Sequence, residues 1–504
     1  MRPTFAGLET ATRGLMSSQK ALDIVGNNVA NVGVTGYTRQ RVDLVSLSIN
    51  TSYSRYYSKA GAIAMAGQGS MVSGVDQIRD SYLDKRYRDE YCNVGYYDTL
   101  SAILSDVETS LSEIEPTTLT SAFTKLENAL SEMQANGTGE VYASSVMSAS
   151  RTLAQVFSQI STKLNNQWHQ EYSTLETTVG TVNSLLEEIA QLNKTIATEV
   201  SITYDGNVSP YGPNELMDQR NVLLDELSKY ADISVKENTD GTVTVTMGDD
   251  NHVAVKGDKA DFIAMNRGQG DLTVNFGWKS TGSPTRFTTG ALQASFEMLN
   301  GRGIGASTSL GETLDNGILY YMDKIDTFAA KVATAFNNVI PVYENGIKQG
   351  YKQLFSFGND GMPTAANLTI NSDWLENSAY ITTNIHAPGE GENDTTFVSN
   401  MLMLFSKSHD FGEFSGTFSD YISFYTNSQL ATDIDYYNNC LTISEEISDA
   451  ALDQISSVSG VSLDEEGIDM TQWTKAYNAM SRVMTAMDEI LETLINSTGL
   501  VGRG

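Results

Sequence analysis

The feature that most constrains this chain is a pair of apolar repeats, one near each end of its 504 residues. In both places apolar side chains recur in steps of three and four residues. A mean step of 3.5 residues is the pattern of a coiled-coil seam, because it keeps one apolar stripe on the same side of the helix. The sequence therefore predicts a long helix at each end, each with a face that must be covered.

The N-terminal repeat is broken only at Ser18, and the C-terminal repeat continues to a polar stop that begins at Asn496. We expect the first helix to end near Asn31 to Gly33, with Gly33 as its left-handed cap. The predicted subunit contacts of the first helix are Leu8, Leu15, Leu22, Val25 and Val29. Those of the last helix, including a second row that widens its face, are Trp473, Tyr477, Met480, Val483, Met487, Ile490, Leu491 and Leu494.

We expect the two terminal helices to pack on each other, since each has little neighbouring sequence to cover it. A two-helix coil still leaves apolar surface exposed. A fully buried large side chain contributes roughly 1.5–3 kcal/mol, so that surface is worth tens of kcal/mol. Other copies of the chain are therefore expected to cover it. The alternative, which periodicity alone leaves open, is an ordinary buried helix at each end.

Periodicity in the middle of the chain changes from helix to strand and back. The predicted helices cover residues 98–133 with a break at Glu115-Pro116, 143–200, 214–229, 313–340 and 420–458. From Ile233 apolar and polar residues alternate around Asp240-Gly241, a hairpin turn. The predicted fold class is mainly α with inserted β, made of a terminal coiled coil, a long-helix rod and a small β-rich outer domain.

These elements suggest a nested organisation in which the chain runs outward and returns. The predicted units are residues 1–60 with 460–504 as the terminal assembly domain, 61–230 with 290–345 and 425–459 as the helical rod, 231–289 as an inserted β domain, and 346–424 as a mixed loop and β region. The last of these is either a second insertion or an irregular flank.

Composition excludes several classes of function. The chain carries 62 acidic and 32 basic residues, a net charge of −30, and has no basic stripe. Nucleic acid and anionic membrane surfaces are therefore excluded as partners, because both require clustered lysine and arginine. Apolar runs fall short of the roughly 18 residues of a membrane span, and the start lacks a signal-peptide pattern. We expect a cytosolic protein, or one exported without a cleaved signal.

A search for chemistry finds no catalytic, cofactor or metal site. The four histidines, His169, His252, His386 and His409, lack metal-ligand spacing. We interpret the glycines at positions 301, 303 and 305 (Gly301, Gly303 and Gly305) as a flexible bend. We interpret the acidic cluster Asp464-Glu465-Glu466 as favourable charges at a helix N-terminus. A carboxylate pair that meets only in the fold stays open. We expect Cys92 and Cys440 to be buried free thiols, with a single bridge between them as the alternative.

The stretch from Gly7 to Val42 resembles the opening of the flagellar axial proteins, the family of rod, hook and hook-associated proteins. The matching residues are Leu22, Asn27, Asn28, Ala30, Asn31, Gly36, Tyr37, Thr38, Arg39 and Gln40. Thr38-Arg39-Gln40 favours the hook-associated branch at the hook–filament junction. The family's usual proline before Gly36 is replaced by Thr35, which removes a source of rigidity from this bend. Similar segments are residues 460–466, 476–483 and 491–494 at the other end, and 216–220 with 224–227 inside.

This resemblance implies a structural protein without enzymatic activity or cofactor, and it adds Asn28 to the assembly residues. It implies export through the flagellar type III apparatus by an uncleaved N-terminal region, with an export chaperone, to an extracellular place in the flagellum. It also implies a homo-oligomeric ring of about eleven copies at the hook tip, with hook protein below and the next hook-associated protein above. The alternatives are another axial protein, such as hook or distal rod protein, and an enzyme embedded in the flagellum.

Overall fold

A computed structural model of the chain describes residues 6–46, 69–112, 116–204, 213–268, 272–303, 315–344, 347–358, 363–385 and 395–497. The helices are α1 (Ala6–Ala30), α2 (Ser81–Ser112), α3 (Pro116–Asn136), α4 (Glu140–Tyr204), α5 (Asn214–Tyr230), α6 (Ala291–Asn300), α7 (Ile318–Asn337), α8 (Ser372–Glu376), α9 (Thr396–Ser406), α10 (Phe418–Ile422), α11 (Leu430–Ser459) and α12 (Leu463–Ser497). Helix is the main element and short strands are inserted between helices, so the predicted fold class is confirmed.

The strands form small antiparallel sheets. They are β1 (Gln40–Ser46), β2 (Ser70–Gln77), β3 (Ile233–Glu237), β4 (Val243–Met247), β5 (His252–Lys256), β6 (Lys259–Ala260), β7 (Ile263–Arg267), β8 (Val274–Trp278), β9 (Pro284–Thr285), β10 (Pro341–Glu344), β11 (Ile347–Tyr351), β12 (Phe355–Phe357), β13 (Leu368–Ile370), β14 (His409–Asp410) and β15 (Ser415–Gly416).

The rod is built around α4, whose 65 residues extend about 100 Å at a rise of 1.5 Å per residue. Leu153, Phe157, Ile160 and Leu164 recur along α4 in steps of four and three, and all are buried. α3 and α5 pack along α4, and α11 packs along α2. α2 therefore carries the chain away from its ends and α11 carries it back, while the contact between α1 and α12 holds the two ends together.

The β-rich part forms two sheets, with strand orders β3-β4-β5-β6 and β7-β8-β9. β4 shows the predicted alternation, because Val243, Val245 and Met247 are buried and the residues between them are not. The predicted hairpin turn is present, and its Gly241 has a φ of +77°. Asn193 of α4 donates to the carbonyl of Val243 at 3.0 Å and accepts from its amide at 3.0 Å, which fastens the sheet to the rod.

The mixed region between α7 and α11 shares its core with the rod. Phe328 of α7 stacks on Tyr421 with ring centroids 4.9 Å apart, and Phe123 of α3 stacks on Phe418 at 5.7 Å. Its buried residues belong to one contiguous cluster with those of the rod and the sheets. The division into four units stays a prediction.

The predicted capping glycine of α1 and the predicted start of α7 are wrong. α1 ends at Ala30, and the left-handed residue of the following turn is Gly36, with a φ of +80°, rather than Gly33. The turn places Gly36 against α5, where an added Cβ would lie 2.3 Å from Cγ2 of Val222. The helix predicted over 313–340 is shorter, because its N-cap Gly317 has an extended backbone with a ψ of −172°, so the helix begins only at Ile318. Residues 304–314, which include Gly305, lie outside the described part.

Two further details differ from the expectation. The helix predicted over 420–458 is interrupted by a π-helical turn at Ser423–Gln429. This wider turn lets the adjacent Phe424 and Tyr425 both pack on Phe414, at 5.0 and 6.2 Å. Both cysteines are free, and Cys92 is buried as expected, but Cys440 is half-exposed.

Glu171 of α4 gives the rod a pH-dependent stability. Burial and the nearby Asp106 raise the pKa of this carboxyl to about 7. Because the folded pKa lies above the ordinary value, its contribution is fully present below that ordinary value and is lost as the pH rises through 7. We expect Glu171→Gln to stabilise the chain by about 1–3 kcal/mol at pH 8 and by little at pH 5, measured by thermal unfolding. Glu176→Gln, on an exposed position of the same helix, is the control. Equal effects of Glu171→Gln at both pH values would contradict the assignment.

Candidate assembly site at the terminal helices

The terminal helix pair, α1 with α12, is packed through small residues of α1. An added Cβ at Gly7 would lie 2.8 Å from Cε of Met487, and one at Gly14 would lie 3.0 Å from Sδ of Met480. Ala11, between the two glycines, is 1% exposed. Small side chains allow two helix axes to approach closely, so the methionines of α12 fill the groove that the glycines leave.

On α1, two of these close approaches, at Gly7 and Gly14, lie one residue before the predicted Leu8 and Leu15. Of the predicted residues there, Val25 and Asn28 are buried, and the half-buried ones are Leu8, Leu15, Leu22 and Val29. On α12 the half-buried predicted residues are Trp473, Tyr477, Met480, Met487 and Leu491, and the exposed ones are Val483, Ile490 and Leu494. Of the large predicted side chains, Met480 and Met487 make the contact within the chain, and the others flank it. Their role in contacts between copies stays a prediction.

The two helices of the pair are covered to different extents. The strands β1 and β2 pack on α1, and the hydroxyl of Ser17 donates to the carbonyl of Ser70 at 3.2 Å. As a result α1 is enclosed from two sides. α12 has no comparable cover, because none of its described residues after Glu466 is buried.

A polar joint at the base of the pair is centred on Asn28, which is 1% exposed. Its Nδ2 donates to the carbonyl of Gln40 at 2.9 Å and to the carboxylate of Glu466 at 3.2 Å. Its Oδ1 accepts from the amide of Gln40 at 3.0 Å and from the hydroxyl of Tyr37 at 2.8 Å. All four hydrogen-bonding positions of the side-chain amide are used. Asn28, which is part of α1, therefore connects this helix to the following turn, to β1 and to α12.

Arg39 completes the polar joint, which we define as Asn28, Tyr37, Arg39, Gln40 and Glu466. Glu466 is 1% exposed and accepts from Nε of Arg39 at 2.7 Å. The backbone amide of Arg39 donates to the carbonyl of Ser459 at 2.9 Å, at the end of α11. The predicted acidic cluster does lie in the first turn of α12, and Arg39 is the partner that the sequence pattern did not reveal.

Asp218 of α5 connects this joint to the rod. Its carboxylate accepts from the amide of Thr38 at 3.2 Å and from Nε2 of Gln77 at 2.8 Å, so it holds the turn and β2 together. Burial raises the pKa of Asp218 despite these hydrogen bonds. Burial and the negative charge of Asp218 also raise the pKa of Tyr37 to about 12, which keeps this phenol protonated as a donor to Asn28.

The segment 216–220, identified by resemblance, thus has a structural explanation. While Asp218 faces the terminal helices, Arg220 faces the β sheets. Its Nη1 donates to Oδ1 of Asn193 at 3.1 Å and to the carbonyl of Gly241 at 2.7 Å. Sequence reasoning found the segment but not these roles, because the partners lie far away along the chain.

The cluster around His252 does not have the arrangement of a catalytic triad. His252 lies 2.8 Å from a carboxylate oxygen of Asp261, and the hydroxyl of Ser280 donates to the same carboxylate. A serine nucleophile needs a hydrogen bond from its hydroxyl to the imidazole. Here the hydroxyl donates to the carboxylate instead, so this cluster stabilises a turn. Within the described ranges there is no group of three or more histidine, cysteine or acidic residues that could hold a metal ion.

The close approach at Gly14 can be tested directly. We expect Gly14→Leu to push α12 away and to destabilise the terminal helix pair by about 1–3 kcal/mol, since overpacking forces a backbone shift. The measurement is hydrogen exchange of α12 amides, which should become faster. Gly26→Leu, at a position with no atom within 4 Å of an added Cβ, is the matched control. Equal exchange in both variants would argue against this packing.

Comparison with known proteins connects these elements to a family. A profile described as the flagellar hook-associated protein FlgK helical domain matches residues 104–342. The chain is 31% identical to flagellar hook-associated protein 1 of Bacillus subtilis (strain 168) over an alignment 534 positions long, which covers 100% of both proteins. The chain belongs to the flagellar hook-associated protein 1 family. The predicted resemblance to flagellar axial proteins is therefore confirmed, in its hook-associated branch.

Other members of the hook-associated protein 1 family align over part of the chain. The Salmonella typhimurium protein is 28% identical over 270 residues, which are 52% of this chain and 45% of that protein. A solved structure of the flagellar hook junction protein FlgK from Burkholderia pseudomallei aligns with a TM-score of 0.41 and 22% identity, over 55% of this chain and 47% of that chain.

Two further profiles match the ends of the chain. A flagella basal body rod protein profile matches residues 8–38, and a flagellar basal body rod FlgEFG protein C-terminal profile matches 453–497. These segments contain most of α1, all of α12 and three of the five residues of the polar joint. The two ends of this chain therefore resemble the flagellar basal body rod proteins. Among its described residues, no helix is long and apolar enough to cross a membrane.

Proposed function

We propose that this chain is a structural subunit of the bacterial flagellum that joins the hook to the filament, and that its terminal helix pair assembles with other copies. The observation that carries the proposal is the uncovered face of α12. Val483, Ile490 and Leu494 are 42%, 52% and 42% exposed, on a helix of 35 residues. Helices in proteins owe most of their stability to packing of an apolar face. We therefore expect this face of α12 to pack against another copy.

The exposed side chains of α12 supply free energy for association. A fully buried aliphatic side chain contributes roughly 1.5–3 kcal/mol. At each of the exposed positions about half of this burial free energy is still available for association. Those positions are Ile468, Met470, Val483, Ile490, Leu494 and Ile495. Together they provide on the order of 5 kcal/mol per copy before the entropy cost of association.

The polar joint supports a mechanical role. A buried polar network in which every group is satisfied specifies one geometry, because any other arrangement leaves buried groups without partners. The joint and Asp218 therefore fix the direction in which the terminal helix pair leaves the rod. A junction protein needs such a fixed direction to pass force from one tubular structure to the next.

The finer parts of the proposal follow from family membership. Copies form a ring of about eleven at the tip of the hook. Hook protein lies below the ring and the next hook-associated protein lies above it. The chain reaches this extracellular place through the flagellar type III export apparatus, with an export chaperone and without a cleaved signal peptide. No enzymatic activity or cofactor is part of the proposal.

Deletion of the gene tests the place in the flagellum. We expect electron microscopy to show bare hooks, with flagellin released into the medium. Missing hooks would instead place the protein in the rod or hook, and unchanged filaments would contradict the proposal.

A truncated chain tests the role of α12. A chain without residues 470–504 should keep a folded rod, measured by circular dichroism, and should fail to restore filaments in the deletion strain. Normal incorporation of this truncated chain would contradict assembly through the terminal helix pair.

A further inference from the structure

One edge of the β-rich part has no strand beside it. β3 is the first strand in the order β3-β4-β5-β6, so it pairs on one side only. At the turn that follows β3, the amide of Asn238 donates to the carbonyl of Thr242 at 2.8 Å. The next residue, Val243, turns its amide and its carbonyl to Asn193 instead. These contacts fix which residues of β3 face β4, because backbone groups alternate between the two sides of an antiparallel strand.

The residues of β3 whose backbone groups face away from β4 are Ile233, Val235 and Glu237, which we call the β3 edge. In the register of β3 with β4, Ser234 and Lys236 are the hydrogen-bonded positions. Within the described ranges no residue is hydrogen-bonded to the amides and carbonyls of the β3 edge. β3 therefore presents a row of unpaired backbone donors and acceptors over about 17 Å.

The β3 edge borders a cavity of about 430 Å³. All five residues of β3 line it, and the first two turns of α2 supply most of the remaining lining, including Ser81, Tyr82 and Lys85. Ligand sites typically have volumes of about 300–1,000 Å³. An exposed sheet edge is also where some domains bind an extended peptide, which joins the sheet as an additional strand. The space and the backbone groups for such a strand are therefore both present.

Two lysines indicate the charge of the strand that fits. Lys85 of α2 and Lys236 of β3 both line the cavity and are exposed, and neither forms an ion pair within the described part of the chain. The chain carries 62 acidic and 32 basic residues, so this pair of free lysines is a local exception to its charge. Lysine on an edge strand usually repels further strands. An acidic strand would be attracted instead.

The other charges of the lining are mostly compensated within the chain. Asp84 is paired with Arg79 at 2.5 Å, and Arg88 is paired with Asp225 at 2.6 Å. Of the lining residues, Glu237 is the only other carboxylate, at the last position of the strand. The cavity is therefore net positive beside the middle of β3.

We propose that the β3 edge binds an acidic polypeptide segment in extended conformation, which adds to the sheet as a fifth strand. The backbone groups of Val235 supply the central pair of hydrogen bonds, and the two lysines attract the acidic side chains of the segment. The ring of Tyr82, which is 71% exposed at this cavity, offers an apolar contact to a side chain between them. The site goes beyond the proposed junction function and does not depend on it.

A synthetic peptide in which aspartate alternates with valine is the probe. We expect it to bind the purified full chain saturably at low salt, with a dissociation constant below about 100 µM, measured by fluorescence anisotropy. The same peptide with lysine in place of aspartate should not bind. A peptide methylated at the backbone amides that face β3 keeps its charge but cannot donate hydrogen bonds, and it should not bind either.

Two exposed-site variants test the position of the acidic peptide. Lys85→Glu combined with Lys236→Glu should weaken its binding about tenfold or more, because both charges beside the cavity are reversed. Lys256→Glu is the matched control, since Lys256 is exposed on β5 of the same sheet and does not line the cavity. It should leave the affinity for the peptide almost unchanged.

Hydrogen exchange tests strand addition itself. The bound peptide should slow exchange of the Val235 amide about tenfold or more, and it should leave the Ser234 amide, already paired with β4, unchanged. Absence of saturable binding, equal binding of the lysine peptide, or an unchanged affinity of the double variant would overturn the acidic partner. Binding without protection of the Val235 amide would overturn strand addition. Any of these results leaves the proposed function standing, because the β3 edge is not part of the terminal helix pair.

Discussion

Replacement of Val483 by aspartate is expected to abolish incorporation of the chain into flagella without unfolding it. In the soluble chain Val483 is 42% exposed, so the new carboxylate stays in water. In the proposed assembly the same position is buried against a neighbour, where an unpaired charge costs about 3–5 kcal/mol. That cost is equivalent to a loss of affinity of about a thousandfold at each contact. The deletion strain that carries this variant should therefore show bare hooks.

Thr485→Asp is the matched control, because Thr485 is exposed two residues further along the same helix, on its other side. It should incorporate normally. Met487→Asp should behave differently from both, since Met487 contacts Gly7 within the chain. It should loosen α12 already in the soluble protein, seen as faster hydrogen exchange. Normal filaments with Val483→Asp or Met487→Asp would show that the assembly face or the packed face of α12 has been assigned wrongly.

The second large effect is expected from Asn28→Leu. Leucine has the same branched heavy-atom skeleton as asparagine, although it is bulkier, and it cannot replace any of the four hydrogen bonds of Asn28. The amide of Gln40 and the carboxylate of Glu466 then lose a partner in a buried place. We expect the terminal helix pair to be destabilised by about 2–4 kcal/mol relative to the rod. Hydrogen exchange should accelerate in α1 and α12 and stay unchanged in α4.

Gln19→Leu is the control for this substitution, because Gln19 carries the same type of side chain on an exposed position of α1. It should leave the exchange rates of the terminal helices unchanged. In the deletion strain Asn28→Leu should support few filaments. If both variants assembled equally well, the polar joint would not be required for the geometry of the junction.

The sequence predicted the elements better than the contacts between them. The 3.5-residue repeats indicated α1 and α12, and α4 begins within three residues of its predicted start. Local periodicity was sufficient there because a helix is defined by hydrogen bonds among near neighbours. Two of the close approaches on α1 lie one residue before large side chains of the predicted row, while Ala11 and Val25 of that row are buried. A search for large apolar residues selects Leu8 and Leu15, whereas helices approach most closely at Gly7 and Gly14.

The polar joint could be predicted only in part. The resemblance pointed to Asn28 and to the acidic residues at the start of α12, but it did not pair them. The side chains of Asn28 and Glu466 are 438 positions apart along the chain, and the backbone amide of Thr38 is 180 positions from the Asp218 carboxylate to which it donates. Hydrogen bonds between such distant residues leave no periodic trace in the sequence.

By itself, the sequence determined that this chain is mainly helical, that its two ends carry apolar faces, and that its motifs are those of flagellar axial proteins. Each of these depends on residues that are neighbours in the chain. Only the tertiary structure decided which face of α12 remains uncovered, which small residues bring α1 close to it, and how Asn28 and Asp218 join the ends to the rod. These contacts form between residues that are far apart along the chain. Which of them meet is decided by the packing of the whole fold.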